Sequence, residues 1–262
     1  MSVEGFFMFT VLNIQKRKDT FFEKVFGCLR NDDYQVRTVA VYKGAPFYIL
    51  DVVIGKKGIN TEKIIVSVGK CAKRMVTNDD SLLPQVDEIG LFKSDELYKC
   101  MLQNTFLSIL KQNFSYKNLV TVCIVDRRGE YTGFVRELSS FSSALNIVTD
   151  KKEKYLSIVE EITEETGLCP VLKKDFVNAD VVINLDEFYM NITKLNLHIT
   201  VEDRCDFTVQ EIYNYLKPIS INKYEFYSAL YELCGVFSLA EGVFDSIMVN
   251  NEKKSLTDAH FS

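Results

Sequence analysis

Two short runs constrain the fold of this chain more than any other feature of it. Leu119-Val-Thr-Val-Cys-Ile-Val125 and Ala179-Asp-Val-Val-Ile-Asn184 are nearly unbroken apolar stretches rich in β-branched residues. A strand with one wet face alternates polar and apolar residues, whereas a strand covered by helices on both faces does not, and such strands make parallel sheets. Between the two runs the spacing turns helical: Phe134, Val135, Leu138, Phe141 and Ala144 follow the first, and Tyr155, Ile158, Val159 and Ile162 line a second helix that Gly167 closes. Ala144–Val148 and Pro170–Leu172 read as further strands, as does Leu195–Val201. Strand, helix, strand, helix, strand, strand is the order of βαβ units with right-handed crossovers.

The first half has another rhythm. Apolar Gly5–Ile14 is followed by a helix from Asp19 or Thr20 to Arg30, then by two β-rich runs, Tyr34–Tyr42 and Ala45–Ile54, with Lys43-Gly44 between them as a hairpin turn. Asn60 or Thr61 caps a helical stripe that runs through Ile64, Val68, Cys71, Ala72, Met75 and Val76. Ser94, Asp95 and Glu96 open another helix that carries Leu97, Met101, Leu107 and Leu110. The remainder of the second half supplies helices at Thr208–Leu216 and, with Asn222 and Glu225 as a capping box, up to Gly235, then an amphipathic stretch Leu239–Met248. The fold class expected is α/β: an N-terminal α+β domain over 1–112, a Rossmann-like three-layer αβα domain with a mostly parallel sheet over 118–249, and a polar, frayed tail over 250–262.

With 262 residues, 47% of them hydrophobic, and only 12 Gly and 4 Pro, the chain is excluded from the disordered and collagen-like classes. Its net charge of −5 is uneven: residues 1–120 hold 17 bases against 13 acids, net +4, and residues 121–262 hold 14 against 23, net −9. The acidic half argues against a nucleic-acid partner, because phosphate binding needs concentrated Lys and Arg. The basic runs Lys16-Arg17-Lys18 and Lys56-Lys57 read as solvated loops. Seven evenly scattered cysteines without a CxxC point to free thiols in a reducing compartment rather than to disulfides or a zinc site. An acid at Glu4 where a signal peptide carries bases, and no apolar run near ~18 residues, predict a cytoplasmic protein with no membrane partner.

In an open parallel sheet the ligand lies outside the carboxyl ends of the strands, where strand order reverses. That edge carries Asp126 to Gly133, Asp150, and Asn184 to Asp186. In this layout, the segment 119–186 resembles the nucleotide-binding half of Rossmann-type dehydrogenases, and Ala179–Asn184 is similar to the strand that ends beside the cofactor in shikimate and amino-acid dehydrogenases. The resemblance covers about a quarter of the chain and implies NAD(P) as cofactor, with Gly129 and Gly133 at the pyrophosphate and Asp150 on a ribose hydroxyl. Asp126, Arg128, Gly129, Gly133, Asp150 and Asn184 are the candidate cofactor-binding residues; Arg127 and Arg128 have the forked guanidinium that suits phosphate. The glycines depart from the usual pattern. Gly129 and Gly133 are spaced Gly-x-x-x-Gly, not Gly-x-Gly-x-x-Gly, in a loop that also holds bulky Tyr131. Asp150 falls 21 residues after Gly129, near the usual ~20, but with Glu153 it is also a helix-capping variant.

Catalytic signals are thin. His198 alternates within a strand and reads as structural, His260 lies in the tail, and the carboxylates of Glu160, Glu161, Glu164 and Glu165 read as a solvated helix face. No metal site is expected. The leading expectation is a protein whose Rossmann-like domain binds a nucleotide-like small ligand at the strand ends, with no assignable reaction. An NAD(P)-dependent oxidoreductase, a non-catalytic interaction or regulatory protein, and a methyltransferase are the alternatives. The strand pair Tyr34–Ile54 serves either as a lid over the sheet edge or as a pairing edge for a second copy of the chain, a homodimer.

Overall fold

The computed structural model describes residues 9–16, 33–42, 44–54, 58–77, 79–83, 86–113, 120–175, 177–186, 195–198, 223–250 and 252–256. It is a mixed α/β structure that divides into two compact units, residues 1–97 with 208–240 and residues 98–207 with 241–262. Each unit holds one sheet.

The sheet of the first unit contains β1 (Thr10–Lys16), β2 (Asp33–Tyr42), β3 (Ala45–Ile54) and β4 (Met75–Thr77), in the order β2-β3-β1-β4. β2 and β3 form the expected antiparallel hairpin, with Gly44 at φ +83°, a conformation that glycine adopts without a steric cost. β1 runs parallel to both β3 and β4. Helix α1 (Thr61–Val68) leads from β3 towards β4, and its start is fixed by the Asn60 side chain, whose Oδ1 accepts the Lys63 N–H at 3.1 Å. Leu12, Ile14, Leu50 and Val52 pack with Ile64 and Val68 of α1 in one core. Burying each of these side chains contributes roughly 1.5–3 kcal/mol.

The helical stripe expected through Val76 is shorter in fact. Gly69 at φ +57° ends the helix after Val68, Cys71 and Ala72 lie in a 3-10 turn (Gly69–Lys73), and Met75 and Val76 belong to β4. All four residues face the core either way, so their apolar spacing does not reveal the change of element.

Helix α2 (Glu96–Asn113) opens where Ser94 Oγ accepts the Glu96 N–H at 3.2 Å. The second sheet then follows with β5 (Val120–Val125), α3 (Thr132–Ser139), β6 (Ser142–Val148), α4 (Leu156–Thr166), β7 (Val171–Lys173), β8 (Val181–Asn184) and β9 (Leu195–His198). The five strands are parallel in the order β7-β6-β5-β8-β9. Val122–Val125 and all of β8 are buried, as their unbroken apolar sequence requires. Gly167 ends α4 at φ +73°, its N–H bonded to Thr163 O. Phe141 and Ala144 do not continue α3: the helix stops at Ser139 and β6 starts at Ser142, two residues earlier than its apolar run begins.

After the undescribed stretch 199–222, helix α5 (Lys223–Cys234) returns to the first unit, and Gly235 closes it at φ +68°. Its Phe226 meets Phe47 edge-on at 5.3 Å and Phe9 at 5.8 Å between ring centroids. This helix was expected within 118–249, but its aromatic face completes the core of the first unit. The amphipathic stretch expected at Leu239–Met248 is a 3-10 turn (Phe237–Glu241) followed by β10 (Ser246–Val249). β10 pairs antiparallel with β9, and β11 (Glu252–Ser255) pairs antiparallel with β10. Part of the expected polar tail is therefore an edge strand, whose Lys and Glu side chains suit an edge.

Among the described residues no helix is long and apolar enough to cross a membrane, and Cys71, Cys100, Cys123, Cys169 and Cys234 are free thiols. The expected helices 19–30 and 208–216, the basic residues Arg17, Lys18, Lys56 and Lys57, the remaining cysteines Cys28 and Cys205, and His260 lie outside the described residues.

Candidate functional site

In the second unit the chain leaves β5 for β6 on one side, while β8 lies on the other. Strand order reverses between β5 and β8, and the carboxyl ends of strands such as β5, β6 and β8 are where open α/β sheets hold their ligands. The sequence places Asp126, Thr149 and Asn184 as the first or last residues at those three ends, and each is buried to within 2% of full exclusion from solvent.

Asp126 organises the loop after β5. Its Oδ1 accepts the Glu130 N–H at 3.2 Å and its Oδ2 the Tyr131 N–H at 2.8 Å. The Tyr155 hydroxyl donates to the same Oδ2. Burial, then the Asp126 charge and this hydrogen bond, and more weakly Asp186, push the Tyr155 phenol far above its ordinary value, so it acts as a permanent donor. Three donors thus converge on one buried carboxylate.

A second carboxylate holds the start of the same loop. Asp186 Oδ2 accepts the Arg127 N–H at 3.0 Å, and Asn184 Oδ1 fixes Asp186 by accepting its N–H at 3.1 Å. Burial raises the Asp186 carboxyl above the usual range; the Arg127 N–H opposes that rise, the Asp126 charge adds to it, and the guanidinium groups of Arg127 and Arg128 oppose it. The Arg127 side chain reaches the other way, to Asp150, with Nη1 at 3.6 Å from Oδ1. Asp150 also donates its N–H to Arg127 O at 3.2 Å. It does not cap the helix that follows: Thr149 Oγ1 accepts the Lys151 N–H at 3.1 Å instead, and Tyr155, ahead of α4, makes no side-chain cap bond.

The two glycines differ. Gly129 sits at φ +64°, and a Cβ there would lie 2.9 Å from Lys154 Cδ and 3.1 Å from Lys151 Cβ. Lys154 closes over it by donating from Nζ to Arg128 O at 3.0 Å and Gly129 O at 3.2 Å. Gly129 is therefore needed for a close approach by the protein's own side chains. Gly133, in the first turn of α3, is exposed with nothing within 4 Å of an added Cβ. Arg128 is exposed at the rim.

Of the six candidate residues, Asp126, Gly129, Asp150 and Asn184 are gathered at these strand ends by direct bonds or by bonds to a shared neighbour. Tyr155, Lys154 and Thr149 were missed. Tyr155 matched the apolar spacing of a helix, and only its position one turn after a strand-end acid distinguishes it from a core residue. The four glutamates of α4 are exposed, as a solvated face requires, and Arg136 of α3 pairs with Glu161 at that surface and lies 3.7 Å from Glu165. The side chain of His198 lies outside the described residues, and among those described no cluster of His, Cys, Asp and Glu can hold a metal ion.

No family model and no curated protein matches the chain. Among solved structures, the crystal structure of L-tryptophan dehydrogenase from Nostoc punctiforme is similar over 67% of this chain and 56% of its own, at 10% identity and a TM-score of 0.28. The chain thus spans little more than half of that protein, and a likeness this distant carries no functional argument.

Proposed function

We propose that the second unit is a Rossmann-like domain without a dinucleotide, and that the chain is a non-catalytic interaction or regulatory protein rather than an NAD(P)-dependent oxidoreductase. One observation carries this reading: the amide groups of Glu130 and Tyr131, at the entrance to α3, are bonded to the protein's own Asp126 carboxylate. A pyrophosphate needs such amides free at a helix N-terminus. Here it would have to displace a buried anion and then sit beside Asp186. Lys154 also covers the glycine that would let a phosphate come close.

A second reading rests on the rim. The side chains of Arg127 and Asp150 stay 37% and 55% exposed, and Arg128 is exposed next to them, which suits a small polar ligand held outside the loop. Thermal unfolding with NAD, NADP, ATP, S-adenosylmethionine and FAD tests both readings. A ligand at a hundred times its Kd adds about 2.7 kcal/mol. The proposal expects no rise in Tm with either nicotinamide dinucleotide, and a rise with one of them overturns it. If another member of the panel does raise Tm, replacing Asp150 with Ala should abolish that rise under the rim reading.

A further inference from the structure

The first unit carries a cavity away from the strand ends of the second sheet. Beyond β4 the chain passes through a 3-10 turn (Asp80–Leu82) and comes back along the sheet. The returning strip is bonded in place: Gly90 N–H donates to Ala72 O at 2.9 Å, Met75 N–H to Gly90 O at 2.8 Å and Phe92 N–H to Met75 O at 2.8 Å. Between turn and strip lies a cavity of about 650 Å³, open to solvent, walled by Leu83, Val86, Ile89 and Leu91 and edged by Asp80 and Lys93. That size is within the roughly 300–1,000 Å³ of small-molecule sites. Leu83 and Ile89 also pack against the hydrophobic core, so the apolar wall is anchored rather than a loose surface patch.

The edge has a specific chemistry. Lys93 Nζ donates to Asp80 Oδ2 at 3.5 Å, and both side chains are at least 60% exposed, so each keeps hydrogen-bonding capacity beyond this pair. Asp87 lines the same cavity. A cation and a carboxylate next to each other, beside four aliphatic side chains in a lining that also holds Ser81 and Asp87, complement a molecule that carries the opposite pair on one carbon together with an aliphatic body.

The geometry points to a binding site for a free α-amino acid with a branched aliphatic side chain. Its carboxylate meets Lys93, its ammonium meets Asp80, and its side chain lies against Leu83 and Ile89. A purely cationic ligand is the competing occupant, given the surplus of carboxylates, and a purely apolar acid is the other.

Titration calorimetry of the full chain with L-leucine, leucinamide and 4-methylpentanoate separates the three. Leucine is expected to bind, and each analogue, lacking one charge, to bind about tenfold more weakly or worse. Lys93→Ala should weaken leucine by a similar factor while leaving leucinamide unchanged; Asp80→Asn should weaken leucine and leucinamide alike. Both side chains are largely exposed, so both variants should keep the wild-type circular dichroism and Tm. Absence of leucine binding, leucinamide binding as tightly as leucine, or full leucine affinity in Lys93→Ala would each overturn the assignment. None of these results depends on whether the second unit takes a dinucleotide.

Discussion

The two sheets both set parallel strands side by side, yet they place their buried polar groups in different positions. In the first, Asn13 of β1 donates to Asp51 of β3 at 2.7 Å, between residues directly opposite in the register. A slip of one residue would break that bond and turn each strand's apolar face over, so the pair specifies alignment. In the second, the central strands β5 and β8 are apolar where they are buried except at the last residue of β8, and the polar groups stand at or just past the strand ends: Asp126, Asn184 and Asp186 bond to loops and to one another. The same class of group fixes register when it lies within a strand and fixes loop shape when it lies at the end of one.

Removing the strand-end anion should have the largest effect. Asp126→Ala leaves a buried N–H, a part-buried N–H and the Tyr155 hydroxyl without their acceptor, and each hydrogen bond to a charged group is worth roughly 1.5–3 kcal/mol. A loss of about 3 kcal/mol or more is expected from urea unfolding midpoints, and Tyr155→Phe, which removes one donor, should cost clearly less. If Asp126→Ala unfolds no more easily than Tyr155→Phe, the loop is held by Lys154 and Asp186 and the comparison loses its main term.

The within-strand pair comes next. Asp51→Ala strands the Asn13 carboxamide, which is only 4% exposed, and should cost about 1–2 kcal/mol. A replacement of Asn13 and Asp51 together by Leu and Val should recover much of that stability, because two apolar partners leave nothing unsatisfied. Recovery with unchanged strand pairing by amide exchange would show that the hydrophobic pattern alone sets the register, and would narrow the difference between the sheets to the loops.

What could be read in advance follows the same division. The parallel strands of the second unit were legible because burial on both faces leaves an unbroken apolar run, and the hairpin β2–β3 because Lys43-Gly44 separates two β-rich runs. β4 and β10 were not: two or three apolar residues near a turn satisfy the helical and the extended period equally well, and only a backbone event such as the positive φ of Gly69 decides. The return of α5 to the first unit was also illegible, since Phe226 is as apolar against one core as against another. At the strand ends, the acids could be named from their positions. What could not be read was that Asp126 turns inward to its own loop, because that depends on a tyrosine 29 residues away reaching the same oxygen.

The smallest expected effect concerns the second strand-end carboxylate, and its sign is informative. Burial raises the Asp186 carboxyl, with the Asp126 charge adding to the rise and Arg127 and Arg128 opposing it. The folded chain therefore holds this proton to higher pH than the unfolded chain, whose Asp value is near ~3.9. Stability from such a group is fully present below the unfolded value and is lost as pH rises through the folded one. Asp186→Asn keeps an oxygen for the Arg127 N–H and removes the titration. The Tm of the variant relative to wild type should therefore climb as pH rises from about 4 and level off once wild-type Asp186 is fully ionised. A difference that is flat across this window would mean that the Arg127 amide and the two guanidinium groups offset the burial of the charge and the repulsion from Asp126. Strand-end carboxylates would then fix the loop at no electrostatic cost, and the contrast with the neutral Asn13 side chain in the first sheet would be one of position alone.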